Sequence, residues 1–451
     1  MPTKLELAVN HAISERQQYL QRMKLAGTAG IDAKRPSAWS EYGYKDVLSF
    51  RDFFNLYERH GVAHGAVQRL VEKCWESTPW IIEGDEYENR RPETPWESQV
   101  RLLFKRLRAW RQVQDADRRR LIGRYSGLLL QVADGLRWDQ EMGAGELLRM
   151  IPAWEGQLEP SSWDENDTSP TYGEVTAWSY QEAAVREGEH SGPGRTVQVH
   201  PSRVVIFGDP REGVPFLQAG YNDFVNLEKI LGGSGESFLK NAARQMHIGF
   251  DKDVDLTALA SAYGVPLADL QTLFNDTARD LNIGQDVVAI TQGATMTPLV
   301  ATVPDPEEHF DIALQSAAAS VRIPAKILVG MQTGERASTE DLRDFNKRGQ
   351  GRRVSDLSCD LERLVSRMIR YGLLPPPPAG EFSICWSDLT EASQEEKLAN
   401  AFKMADINAK QAATGAPVFT DDEIREAAGW DPRGDDALLP DIEDSDLEED
   451  E

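Results

Sequence analysis

Phosphate chemistry would announce itself through glycines next to a lysine and a hydroxyl. Gly330–Ser338 (GMQTGERAS) comes nearest to that pattern. It lacks the lysine beside a Ser or Thr that would hold the β- and γ-phosphates and Mg2+, so it is not a nucleotide loop. Gly232-Gly233-Ser234-Gly235 lies between two helical halves instead of following a strand, and reads as a hinge. No GxSxG nucleophile elbow occurs. Among seven histidines, His60 and His64 stand four apart, a spacing that puts two imidazoles on one helix face. No HExxH motif and no third ligand accompanies them, so a surface or core role is the expectation over a metal site. Acid pairs such as Asp251/Asp253 and Asp421/Asp422 are what an acidic chain produces by chance. Cys74, Cys359 and Cys385 form no CxxC pair and fit a reducing compartment. No enzymatic activity, cofactor or metal is expected.

The remaining charges are suited to contact. Trp96–Arg120 reads as one basic amphipathic helical region, with Arg101, Lys105, Arg106, Arg108, Arg111, Arg118, Arg119 and Arg120 against apolar Val100, Leu103, Phe104, Leu107 and Trp110. A solvated cationic face is the plainer reading. A site for the acidic face of a neighbouring subunit, or for DNA, is the sharper one. A second charged group is Glu335 and Arg336, flanked by Lys326 and by Lys347, Arg348, Arg352 and Arg353.

The net charge of −25 is uneven, for residues 421–451 hold fifteen Asp/Glu and two Arg. Tight nucleic-acid binders neutralise phosphates with Lys and Arg, so this chain is not expected to grip DNA. DNA passing an acidic wall is compatible with it. At 451 residues the chain exceeds the roughly 250–300 at which single cores stop growing. The N-terminus lacks the apolar core of a signal peptide. No apolar run approaches the roughly 18 residues of a membrane span.

The elements must position these charges. An amphipathic helix is expected over 3–24, a loop over 25–45, and helices near Ser49–His60 and Val62–Glu76. Trp80–Ile82 and Tyr125–Val132 read as strands. Met150–Trp154, Tyr172–Trp178 and Val197–Phe207 are also strands, with 159–171 and 186–194 as hairpin tips or mobile loops. Helix over Pro215–Ile248 is broken at the glycine hinge. Leu256–Tyr263 and Leu267–Leu281 are short helices, and Asp286–Thr291 and Thr297–Val303 are strands. A helix ending at Val321 is stopped by Ile323-Pro324. Gln332–Arg336 is a polar loop, and Ser338-Thr339 cap a long helix with Asp341 in its first turn. Its stripe is Leu342, Phe345, Leu357, Leu361, Leu364, Val365, Met368 and Ile369. Gly349 and Gly351 each cost about 1 kcal/mol in a helix, so a bend is expected there, and Pro375–Pro378 ends the helix. A strand at 382–387 and helices at 391–411 and 420–428 follow. The acid-rich tail from Asp431 is expected to stay disordered.

The segment IPAKILVGMQTGERASTEDLRDFNKRGQGRR resembles the end of the second stem helix, the tunnel loop and the following long helix of tailed-bacteriophage portal proteins. Val199–Phe207, Tyr221–Leu231 and Phe382–Trp386 with the acidic helix after it resemble further portal segments, in the same order, over roughly residues 50–430. The resemblance implies an α+β portal fold: a helical/β wing (1–216), a first stem helix (217–249), a small α/β clip (250–304) and a second stem helix (305–321). A tunnel loop (322–338), a long wing helix with proline linker (339–378), a C-terminal helical crown (379–432) and an acidic tail (433–451) complete it. It implies a twelve-membered ring at one capsid vertex that passes double-stranded DNA during packaging and ejection. The implied partners are other copies of the chain, the major capsid protein and scaffold, the terminase large subunit and head–tail adaptors, with no membrane. The implied location is the virion, with assembly in the host cytoplasm. Gln332, Glu335 and Arg336 would line the channel, and Lys326, Lys347 and Arg348 would meet phosphate beside it. Another structural head or adaptor protein, or a phage enzyme with an unrecognised site, are the alternatives.

Overall fold

The structure is a computed structural model that describes residues 42–84, 92–183, 185, 194–242, 246–250, 253–283, 294–298, 305–330, 335–391, 394–411 and 417–431. The expected helix at 3–24, the strand at 286–291, nearly all of the loop 186–194 and the tail beyond 431 lie outside the described residues.

Two helices open it, α1 (Phe50–Arg59) and α2 (Gly61–Cys74). His60 ends the first and begins the second, accepting at Nδ1 from the Ala63 N–H (3.2 Å). Strand β1 (Trp80–Glu83) follows. The basic region is two helices, α3 (Pro95–Leu107) and α4 (Ala109–Ile122), broken where Arg108 takes a left-handed conformation with φ 51. Helical spacing runs through this break, which is why the sequence reads as one helix.

Strands β2 (Tyr125–Val132), β3 (Leu147–Trp154), β4 (Leu158–Trp163), β5 (Val175–Gln181), β6 (Thr196–Val199) and β7 (Val204–Gly208) form two antiparallel sheets, β3-β2-β7 and β4-β5-β6. Val197–Phe207 is therefore two strands in different sheets, divided by a short helical turn at Pro201–Arg203. β4 occupies part of the stretch expected as a loop. It is an edge strand with irregular register at Pro160, a place where a residue without an N–H can sit. Tyr125, Leu129, Leu158 and Trp178 fill the space between the sheets.

A long helix, α5 (Tyr221–Ala242), runs unbroken through Gly232, Gly233 and Gly235, so the hinge expected there is absent. It begins at Tyr221 rather than 215. The stretch expected to carry it on to Ile248 is instead strand β8 (Met246–Phe250), paired with β9 (Ala294–Pro298). Between those strands lie α6 (Leu256–Ala262) and α7 (Leu270–Ile283). Helix α8 (Glu307–Val321) packs back along α5. The two come together at Gly220, where a Cβ would lie 2.0 Å from Ser320 Oγ, and Ser316 donates to Asp223 (3.0 Å). This packing holds α5 helical although each glycine weakens it by about 1 kcal/mol.

Helix α9 (Ala325–Val329) leads to α10 (Glu335–Arg352), a single wide π turn (Arg353–Leu357) and α11 (Ser358–Arg370). The expected distortion of the long helix exists, but at the π turn, just past the glycines. Gly349 has a packing reason instead: a Cβ there would sit 3.0 Å from Leu389 and 3.3 Å from Lys73. Strand β10 (Phe382–Cys385) returns to pair with β1, and α12 (Gln394–Gln411) and α13 (Asp421–Ala427) follow. The main core joins α1–α4, the inner face of β2 and β7, and α11, whose Leu361, Leu364, Val365 and Met368 are fully buried.

Candidate functional site

The segment joining α8 to α10 is held from several directions. Helix α8 ends at Val321, and Arg322 turns the chain in a left-handed conformation (φ 52, ψ 39). Ile323 is buried, and Pro324 starts α9, whose Leu328 is buried where α9 packs on α2. Gly330, at φ 77, ends α9 in the conformation glycine adopts without strain.

The sequence-identified residues distribute around this segment. Gln332 lies outside the described residues. Glu335 and Arg336 are the first two residues of α10, so the helix starts before Ser338 and the expected Ser338-Thr339 cap is not its end. The reason is local: Glu, Arg and Ala, the residue types at 335–337, are all good helix formers. Lys326 is half-buried on α9, and Lys347 is exposed on α10.

Arg348, expected as a phosphate contact, turns back into the protein. Its Nη1 donates to the carbonyls of Val321 and Arg322, and its guanidinium lies 5.6 Å from the Phe216 ring centroid. Those carbonyls are among the unpaired acceptors that every helix end leaves, so Arg348 caps α8 from α10. Burial and the nearby Arg322 pull its pKa below the usual arginine value.

Beneath this segment lies a buried charge network that helical spacing alone does not reveal. Asp117 on α4 is fully buried, accepts from Trp75 Nε1 (2.9 Å) and pairs with Arg352. Burial works against the Arg352 charge, yet Asp117 outweighs it and the pKa is raised. Arg353, also fully buried, donates to the Cys74 carbonyl (2.8 Å) and the Ser387 carbonyl (2.8 Å) and stacks over Trp386. Asp360 accepts from Arg120 (2.7 Å) and Arg363 (3.2 Å). Burial pushes its carboxyl up to about 6, against the pull of those two arginines. A signal was present: Arg353 and Asp360 sit within the apolar run of the long helix, where a charge needs a partner.

The histidine pair has a structural explanation. His60 caps α2, and His64 donates through Nδ1 to the Tyr57 carbonyl (3.0 Å) while stacking on the Tyr57 ring. Among the described residues no group of three His, Cys, Asp or Glu side chains is placed to hold a metal ion. The arginines of α3 and α4 are largely balanced within the chain: Arg101 by Glu93, Arg106 by Glu146, Arg118 and Arg119 by Asp115, and Arg120 by Asp360.

The chain is a mixed α+β body with two antiparallel packed helices and a long helix held by buried ion pairs. The family model for phage portal protein matches residues 55–410, and the chain belongs to that family. Among solved structures, the neck of a native gene transfer agent particle computed with C12 symmetry is similar at 15% identity and TM-score 0.45, over 85% of this chain and 94% of that one. The neck of an empty gene transfer agent particle computed with C6 symmetry is similar at 14% identity and TM-score 0.46, over 85% and 95%. The virion of the native particle is similar at 14% identity and TM-score 0.43, over 85% and 94%. Among curated proteins none matches the chain.

Proposed function

We propose that this chain is the subunit of a portal ring, twelve copies around a channel at one vertex of a tailed-phage or phage-like capsid. Double-stranded DNA enters through it during packaging and leaves during ejection. The observation that carries the reading is the outer surface of the α5–α8 pair. Leu231, Phe238 and Leu239 on α5 and Ile312 on α8 all stand in solvent, with Phe238 70% exposed. A single chain gains nothing from displaying them. A ring of antiparallel helix pairs covers them with the next copy.

On this reading α5 and α8 are the stem helices, and the unit from β8 to β9 is the clip. The body built on α1–α4, the two sheets and the long helix is the wing, and α12–α13 belong to the crown. The segment 322–338 faces the channel, with Gln332, Glu335 and Arg336 as its polar residues and Lys326 and Lys347 beside it. Arg348 acts by fixing the end of α8 rather than by touching phosphate. The terminase large subunit supplies ATP hydrolysis and docks on the ring. Capsid protein and scaffold surround it, head–tail adaptors attach to the clip, and the ring ends in the virion.

Negative-stain microscopy of the purified full chain is the test. Rings with a central hole support the proposal, and a compact monomer at all concentrations overturns it. Substituting Glu335 and Arg336 together with Ala should leave rings intact and lower the DNA packaged or retained. Unchanged packaging at low and high salt would remove the channel role from these two charges, because a contact to phosphate weakens as ions screen it.

A further inference from the structure

Two surfaces of this chain carry complementary chemistry. The first is the outer side of α3 and the start of α4. Leu102 is exposed there, with Lys105 one turn on and exposed Arg108 and Arg111 beyond. Lys105, Arg108 and Arg111 have no acidic partner among the described residues, unlike Arg101 and Arg106 on the same helix. Arg108 also occupies a left-handed position that costs a non-glycine residue roughly 1–2 kcal/mol.

The second surface is one stripe of α12, formed by Glu395, Leu398, Phe402 and Asp406, spaced by three, four and four. Phe402 is 74% exposed and Leu398 is half exposed. A neighbouring side of α12, around buried Ala401, packs on α13. Asp406 pairs, among the described residues, with solvent-exposed Lys410 (2.6 Å), a type of pair worth about 0–1 kcal/mol and easily exchanged.

An apolar residue rimmed by cations and an apolar stripe bounded by acids fit one another. Two different patches of one chain that fit each other make a head-to-tail contact, and such a contact repeated about an axis closes a ring. We infer that α12 of one copy docks on α3 and α4 of the next, with Phe402 against Leu102 and with Glu395 and Asp406 facing Lys105 and Arg111. The inference rests on the ring reading above and adds a charged contact, separate from the α5–α8 pair, that fixes the direction in which copies follow one another.

The test uses the full chain with the exposed Cys359 replaced by serine. L102C and F402C are introduced singly and together, and the products are oxidised and separated without reductant. The paired variant should give a ladder of covalent oligomers, and each single variant should remain monomeric. Rings that form normally but yield no ladder overturn this contact and leave the ring reading standing. A bridge closed within one chain, seen as a faster monomer band, overturns it also. Absence of rings in the parent chain overturns the ring reading itself. A second arm reverses charge. K105E with R111E should raise the concentration needed for assembly by about tenfold, and adding E395K with D406K should restore it. Arg108 is left unchanged because it holds the turn between α3 and α4. Assembly that ignores the first pair of substitutions, or that is not restored by the second, sinks the proposal. If the cationic patch instead binds another virion protein or DNA, the rings assemble unchanged.

Discussion

The body around α4 and α11 and the α5–α8 pair solve opposite problems. The body buries charge and satisfies it internally: Asp117 with Arg352, Asp360 with Arg120, Arg353 with two carbonyls and Trp386. The helix pair buries Phe224, Leu227, Leu314, Ala317 and Val321 at the end that meets the body, and displays Phe238, Leu239 and Ile312 to water. One region is complete within a single chain. The other, on the proposed ring reading, is half of a contact. Internal pairing fixes the geometry of the single chain, and in the proposed ring the exposed apolar surface would join one copy to the next.

The comparison breaks most readily in the body. Asp117→Ala leaves Arg352 buried without its carboxylate and should cost about 3–5 kcal/mol of stability, the range for a buried pair missing one partner. Denaturant unfolding of the isolated chain measures it, and a loss comparable to a surface substitution would show that the network is not internally locked.

A smaller, pH-dependent effect should come from Asp360. Its folded carboxyl is raised to about 6, above the ordinary carboxylate value. Its protonated form is therefore the one the fold favours. The contribution is fully present below the unfolded pKa and is lost as pH rises from about 4 through about 6. Asp360→Asn removes that dependence, so the melting temperature of the parent should fall relative to the variant between about pH 4 and pH 6. Parallel curves would mean that Arg120 and Arg363 hold the carboxylate ionised throughout.

The least effect on the single chain should come from the helix pair. Phe238→Glu with Leu239→Glu should change its stability by no more than about 0.5 kcal/mol each while abolishing rings in the microscope. A large loss of chain stability would show that these side chains serve the subunit itself, and the contrast between the two regions would collapse.

Much of the element order was legible in the sequence, because it depends on local spacing and breakers. Helices α1, α2, α8 and α12, strands β2 and β10, and the stop at Ile323-Pro324 all follow from periodicity or proline. The misreadings have physical causes. β4 is polar and holds Pro160, so it looks like a loop until β5 lies beside it. α5 passes through three glycines because α8 supports it from outside the segment. Arg108 breaks α3 from α4 with no glycine to mark the turn. At the candidate site, Lys347 was readable as a residue of the long helix, whereas Glu335 and Arg336, expected in a loop, open that helix. The turn of Arg348 onto the end of α8 was not readable, because its acceptors lie 26 and 27 residues away. The buried pairs Asp117–Arg352 and Arg120–Asp360 join residues more than two hundred positions apart, beyond any local pattern.

The π turn has a consequence in terms of insertion and deletion. Phe345 and Leu357 are both buried, yet twelve positions at about 100° each put them about a third of a turn out of phase on a regular helix. The wide turn absorbs about one residue of that rotation and brings the two faces into line. The long helix therefore carries one residue more than its geometry requires. Removing exposed Val354 should let it close into ordinary α-helix with both buried faces preserved, whereas removing exposed Glu362 should swing everything after it by about 100° and unfold the domain. At this one place, a loss of chain length that would ruin almost any other helix interior should be a neutral step.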